Sequence, residues 1–278
     1  MAGAFVRMEK LHHELWIVHA INIIFGPIAA AILRALGRDV PAHGDVIPDY
    51  LAIIIFLTLL LTAFSLVVRS RLSVENPGKL QIVLEDALTG LLGMLDDIVG
   101  PKGRRYLPLV GTLGVLIWAC NLSGMVPGLM APTSNYNVTL GCAITVFVYY
   151  HYHGIKEQGI GAYLKHFAAP PGAPLWIAPI MLPIELISHV SRVLSLSLRL
   201  FGNIFGEELV ILILASIIPF VVPLPMMLLG LLTSTLQALI FVMLTMIYLG
   251  GAVQSEDHGD EHGHGHVPGV AAQPAVQL

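Results

Sequence analysis

Two arginines stand where arginine is costly. Arg192 and Arg199 lie in the otherwise apolar stretch from Pro183 to Ile218, with Glu185, Ser188, His189, Ser195, Asn203, Glu207 and Glu208. A helix turns by about 100° per residue, so with Arg199 at zero Arg192 falls at about +20° and Asn203 and Glu185 at about +40°. Ser188 and Ser195 fall at about −20° and −40°, and His189 and Glu207 at about +80°. All of these share one face, while Glu208 stands about 180° away. An ionisable side chain inside a bilayer costs between a few and many kcal/mol, so a row of them should line water or a protein partner. Carboxyl and imidazole groups exchange protons, whereas a guanidinium keeps its own and acts as a fixed positive charge. The chemistry on offer is therefore proton handling. Arg192 and Glu185 lie near the start of the helix, where snorkelling to the surface is an equal reading. Arg199 lies about 20 residues before Pro219, roughly 30 Å along an upright helix, so its depth depends on tilt.

A second polar set faces the first. Thr233, Ser234, Gln237 and Thr245 interrupt the charge-free run from Met226 to Ala252. A tilt or offset between the two helices would bring Gln237 level with Arg199, and its amide oxygen could then accept from the guanidinium.

The elements that hold these groups are membrane helices. Of 278 residues, 56% are hydrophobic and 12% charged, about half the charge of a soluble domain. No charge occurs in 51–68, 106–155 or 226–252. About 20 apolar residues cross roughly 30 Å of hydrocarbon, so 106–155 is too long for one crossing. The turn-forming residues Pro132 to Asn137 divide it into a hairpin. The expected architecture is all-α and polytopic, with five spans at about 49–68, 106–131, 138–153, 183–218 and 226–252. Between 76 and 100, Leu80, Val83, Leu84, Leu88, Leu91 and Leu92 recur at helical spacing with Glu85, Asp86, Asp96 and Asp97 between them. That pattern predicts an amphipathic helix on the membrane surface.

Charge sets the orientation. Arg69, Arg71, Lys79, Lys102, Arg104 and Arg105 lie between the first of these spans and the hairpin, and Lys156 and Lys165 follow it. The turns at 132–137 and 219–225 carry no Lys or Arg. The positive-inside rule then puts 69–105 and 154–172 in the cytoplasm and the bare turns outside. Residues 1–48 form an N-terminal segment in which 15–33 either spans or lies in the interface; five later spans favour an external or interfacial placement, with the C-terminus inside. No cleavable signal sequence is expected. The region 253–278, with His258, His262, His264 and His266, is expected to be a disordered cytoplasmic tail, metal binding being the lesser reading. His12 and His13 read the same way. Cys120 and Cys142 read as buried small residues. No phosphate loop, nucleophile elbow or zinc-protease motif occurs, so no cofactor, metal or nucleic acid is expected and catalysis by this chain alone is not.

The run Leu194-Ser-Leu-Ser-Leu-Arg-Leu-Phe-Gly-Asn203, followed by Glu207-Glu208, resembles the signature of subunit a of F-type ATP synthases. Thr235-Leu-Gln-Ala-Leu-Ile-Phe241 is similar to that family's motif in the last helix. Asn121-Leu122 with Pro127, and Asn137-Val-Thr-Leu140, are similar to its central hairpin. The resemblance covers roughly 50–252. It implies a membrane stator that holds two offset half-channels against a rotating ring of c subunits, with the last two helices strongly tilted. It implies further partners in the b-subunit peripheral stalk and the rest of the complex, a place in the bacterial inner membrane among its lipids, and protons or sodium as the coupling ion. Arg199 matches the family's essential arginine, Asn203 and Gln237 the polar residues near it, and Glu208 a half-channel carboxylate. Ser195, Glu207, Glu185, His189 and Arg192 are candidate half-channel groups. Where some members carry histidine, this chain has Gly230. Two other classes compete: a secondary transporter binding an anion at Arg199, against which stands the lack of a second copy of the 194–208 pattern, and a scaffold whose stripe is a helix seam.

Overall fold

The computed structural model describes residues 16–37, 46–126, 129–161, 163, 178–217 and 223–253. Every regular element among them is helical. The helices are α1 (Trp16–Ala35), α2 (Asp49–Ser70), α3 (Lys79–Ile98), α4 (Leu107–Ser123), α5 (Tyr136–Gln158), α6 (Ala178–Ile217) and α7 (Pro223–Val253). Short 3-10 turns occupy Gly103–Tyr106 and Pro132–Ser134. The chain is an all-α, polytopic membrane protein. The expected His-rich tail and most of the outer turn at 219–225 lie outside the described residues.

Helix ends follow local chemistry. The span expected over 106–131 stops as a helix at Ser123, because Val126 precedes a proline and such a residue disfavours helical geometry. The N–H groups of Met125 and Val126 close turns on Leu122 and Ser123 at 3.0 and 3.1 Å, and the Ser123 hydroxyl donates to the Met130 carbonyl at 3.1 Å. Asn135 caps α5 by accepting from the Asn137 N–H at 3.0 Å. At its other end Gly159 takes φ 81°, a left-handed conformation that glycine adopts without steric cost.

α1 occupies the N-terminal segment. Pro27 lies inside the helix without ending it. Asn22, a polar group within it, is spent on backbone: its amide donates to the Ile47 carbonyl at 3.1 Å and accepts from the Ile47 N–H at 2.9 Å. By length and composition α1 is one of five helices among the described residues able to cross a membrane, the others being α2, Gly103–Ser123, α6 and α7. α5 is outside that set because its second half carries Tyr149-Tyr150-His151-Tyr152-His153.

α7 packs against α4, α5 and α6, and α5 packs against α6. Their shared core includes Tyr106, Ile117, Tyr150, Leu200, Phe241 and Met246. The approach of α4 to α7 needs Gly114, where a Cβ would lie 2.6 Å from Val242 Cγ2. Small residues let membrane helices come this close. The end of the same seam near Ser123 is polar. Asn121 donates to the Ser234 carbonyl at 3.2 Å and accepts from the Thr133 hydroxyl at 2.7 Å. Asn121→Ala strands both partners, and we expect it to destabilise the assembled protein by about 1–3 kcal/mol, read as a lowered midpoint of thermal unfolding in detergent.

α3 lies outside the spans, and its first turns leave Leu80, Ile82, Val83 and Leu84 exposed. The Arg104 guanidinium, 2.8 Å from Asp96, holds that carboxyl below its ordinary range. The sign is that of a depressed carboxyl: the contact acts above the ordinary Asp range and is lost as pH falls through the lowered value. Both groups are solvated, so little stability rides on it.

Candidate functional site

α6 contains 40 residues, about 60 Å of helix at 1.5 Å per residue, twice the hydrocarbon thickness. A helix of that length lies inclined or protrudes. Its buried face, with Leu196, Leu200 and Ile204, rests on α5 and α7. The polar stripe does not stay together. Arg199, Ser195 and Asn203 are exposed on the outward surface, Arg192 and Glu185 are half-buried, and His189 is buried. The physical reason is angular: residues about 80° from Arg199 face the neighbouring helices, while Arg199 sits at the rim of the contact.

Among the described residues Arg199 has neither a hydrogen bond nor an ion pair. The expected bond from its guanidinium to Gln237 is not formed. The Gln237 oxygen instead accepts from Asn203 Nδ2 at 2.7 Å, because Asn203, one turn further along α6, is the group level with it. Gln237 is 2% exposed, and its Nε2 lacks a protein partner. Behind the arginine there is thus a fixed amide pair with one donor to spare. The second arginine is engaged: the Arg192 guanidinium sits 5.5 Å from the centre of the Tyr248 ring, a cation–π distance.

Toward the end of α6 that leads to Ile217, two carboxylates diverge. Glu207 turns inward, and its Oε2 is buried without a protein partner. Gly230 makes the room: a Cβ there would collide with Glu207 Oε1 and lie 2.8 Å from Met125 Cε. The glycine in place of histidine therefore has a steric cause, since the glutamate occupies the space. Glu208, on the other side of the helix, accepts from the Ala131 N–H at 3.1 Å. It faces a cavity of about 510 Å³ lined also by Asp49, Ser134 and Asn135. A buried carboxylate oxygen without a protein partner, as Glu207 Oε2 is among the described residues, is where water enters a structure.

At the other end Glu185 Oε1 lies 3.2 Å from His189 Nε2, and His189 Nδ1 lies 2.7 Å from the Tyr150 hydroxyl. Tyr150 and His151 were not singled out from sequence, although five consecutive ring-bearing residues from Tyr149, three Tyr and two His, end a span. Asn121, Ser234 and Trp118 were also missed as a set; Trp118 Nε1 donates to Thr235 Oγ1 at 3.2 Å. Among the described residues no three His, Cys, Asp or Glu groups converge as metal ligands. Cys120 and Cys142 are free thiols on a cavity of about 390 Å³.

Comparison with known proteins follows the same segments. The sequence model of the ATP synthase A chain family matches residues 50–250. ATP synthase subunit a 3 of Pelobacter propionicus is 48% identical over 206 residues, 74% of this chain and 86% of that protein. ATP synthase subunit a of Geotalea daltonii is 48% identical over 178 residues, 64% of this chain and 76% of that protein. Subunit a 1 of Syntrophotalea carbinolica is 44% identical over 198 residues, 71% and 82% of the two chains. A match across α2 to α7, at this identity, means that the chain belongs to the ATP synthase A chain family.

Proposed function

We propose that this chain is the proton-translocating stator subunit of a rotary ATP synthase in the bacterial inner membrane, with its C-terminus on the cytoplasmic side. A ring of c subunits runs along the outward surface of α6, and the b-subunit stalk and the remaining subunits complete the complex. The observation that carries the reading is Arg199, an exposed guanidinium on a 40-residue apolar helix with no partner among the described residues. Such a charge should line water or meet a partner, and a ring carboxylate is the partner this reading supplies.

Two polar approaches flank it. Glu185 and Glu208 are separated by about 35 Å along the helix, at 1.5 Å per residue, with Arg199 between them. The cavity at Asp49 and Glu208 serves the outer half-channel, with Glu207 on the α7 side of the same helix turn; the Glu185–His189 pair serves the cytoplasmic one. A ring carboxylate crossing lipid is neutral, because ionising it there is costly. Beside Arg199 the positive charge favours the carboxylate, and the proton leaves through one half-channel. Past Arg199 the carboxylate is reprotonated from the other. Asn203 and Gln237 hold the polar surface behind the arginine without offering it a competing negative charge. The guanidinium does not release its proton, so protons do not pass between half-channels without rotation. One charge moved through 100 mV supplies about 2.3 kcal/mol, so several must be summed mechanically per ATP.

The test is ATP-driven proton pumping by inverted vesicles carrying Arg199→Ala. Loss of pumping in an assembled complex is expected. Pumping near the normal rate would make the stripe a packing seam.

A further inference from the structure

The cytoplasmic approach to Arg199 contains a buried tyrosine, Tyr150, that the proposed function does not use. His189 is 6% exposed and Tyr150 is 2% exposed, yet their polar atoms meet at 2.7 Å. Tyr150 projects from α5 and His189 from α6, so this bond joins two helices. On its far side the His189 ring meets Glu185, whose side chain is 39% exposed. The three groups form a line from the bundle interior to an accessible carboxylate.

The imidazole in this line has two faces with different duties. While the Tyr150 hydroxyl donates to Nδ1, the neutral ring carries its proton on Nε2, where it donates to Glu185. When the ring is doubly protonated, Nδ1–H donates to the tyrosine oxygen, which accepts as readily as it donated. The hydroxyl thus holds the ring in one orientation through both protonation states. The ring is also confined by its surroundings. From α5, His151 lies 4.9 Å away between ring centres. Tyr163 packs on His151 at 6.0 Å, and Tyr248 of α7 on Tyr150 at 6.3 Å. Arg192 is the nearest cation along α6, held over Tyr248.

We propose that Tyr150 is a positioning residue of the cytoplasmic proton path, orienting His189 so that its Nε2 exchanges a proton with Glu185; this rests on the stator reading above. The step is a transfer within one hydrogen bond. Imidazolium Nε2–H and carboxylate become neutral imidazole and carboxylic acid, and Glu185 then gives the proton to cytoplasmic water. The neutral ring left behind keeps its proton on Nδ1, donated to the Tyr150 oxygen, and the imidazolium is re-formed when the vacated Nε2 accepts the next proton released by a ring carboxylate of the c subunits.

Inverted vesicles place the cytoplasmic face in the medium, so the medium pH is the pH at this half-channel. ATP-driven pumping would be measured against medium pH for the parent complex, Tyr150→Phe, His189→Gln and Arg199→Ala, normalised to assembled complex. Tyr150→Phe keeps the ring and removes one hydrogen bond; the expected loss is about fivefold, with a displaced pH profile. His189→Gln keeps an amide near the Nε2 position and no titrating ring, and its profile is expected to flatten. A slower rate with an unchanged profile in both variants would make Tyr150 a packing group and overturn the inference. Parent-like pumping by both, with Arg199→Ala inactive, overturns it equally. Parent-like pumping by Arg199→Ala sinks the stator reading itself, which keeps the two failures apart. If Tyr150→Phe does not assemble, His189→Gln decides between the same outcomes.

Discussion

Lysine at position 199 is expected to lower ATP-driven proton pumping by about tenfold or more, nearly as far as alanine does. The two cations carry equal charge, so the difference is one of proton affinity and shape. An ammonium group loses its proton when it is desolvated, whereas a guanidinium stays charged in any protein environment. Arg199 stands exposed on the outward surface of α6, without a protein anion among the described residues. On the proposed reading it is desolvated each time a ring subunit covers it. A lysine there would be free to pass a proton between the half-channels, and it would offer a point charge where the guanidinium offers a planar fork. Passive proton conductance of vesicles stripped of the catalytic sector separates the two effects. Increased leak with lost pumping is the expected pair, and parent-like values of both would remove the special role of arginine.

Placing histidine at position 230, as some family members have it, is expected to lower the yield of active complex by about tenfold. The clash is local and specific. A Cβ on Gly230 would collide with Glu207 Oε1, 2.6 Å from its Cδ and 2.8 Å from Met125 Cε. Glu207 is half-buried between α6 and α7 and has no open side to turn to without moving a buried oxygen. Overpacking costs about 1–3 kcal/mol, and displacing a carboxylate inside a membrane costs more. Shortening the partner should relieve both. Glu207→Gly with Gly230→His restores the volume and returns a titratable group to the same space from the opposite helix. The assembled complex and its pumping rate are therefore expected to recover in the double variant. A single Gly230→His that assembles and pumps normally would show that the seam opens freely. A double variant no better than the single one would show that Glu207 acts by its own chemistry as well as by its volume.

Most of the architecture was legible in sequence, because membrane helices are declared by length and charge. Residues 106–155 without a charge demanded a hairpin, and the carboxylates between the leucines of α3 marked a helix outside the spans. Boundaries were less legible. The helix expected to reach 131 ends at Ser123, since hydropathy continues past a point where backbone geometry does not. The partner of Asn22 in α1 was not legible for a related reason: composition sees a polar atom, and only coordinates show the Ile47 backbone that satisfies it.

The candidate site divides in the same way. Which residues are polar in an apolar helix, and that Arg199 and Asn203 share one face of it, came from residue types and spacing; the association of Gln237 with them came from the family resemblance. A helical wheel gives each residue an angle, and the angle is meaningful only once the neighbouring helices are in place. Packing of α5 and α7 turned His189 and Glu207 into the bundle and left Arg199 at its rim. Register between α6 and α7 gave the Gln237 oxygen to Asn203 in place of Arg199. Tyr150, about 40 residues from His189 in sequence, became its partner only through the contact of two helices. Sequence determined the membrane helices, the polar inventory and the family; tertiary structure decided which polar atoms share a bond, because hydrogen bonds between helices depend on offsets of a few ångströms that no periodicity encodes.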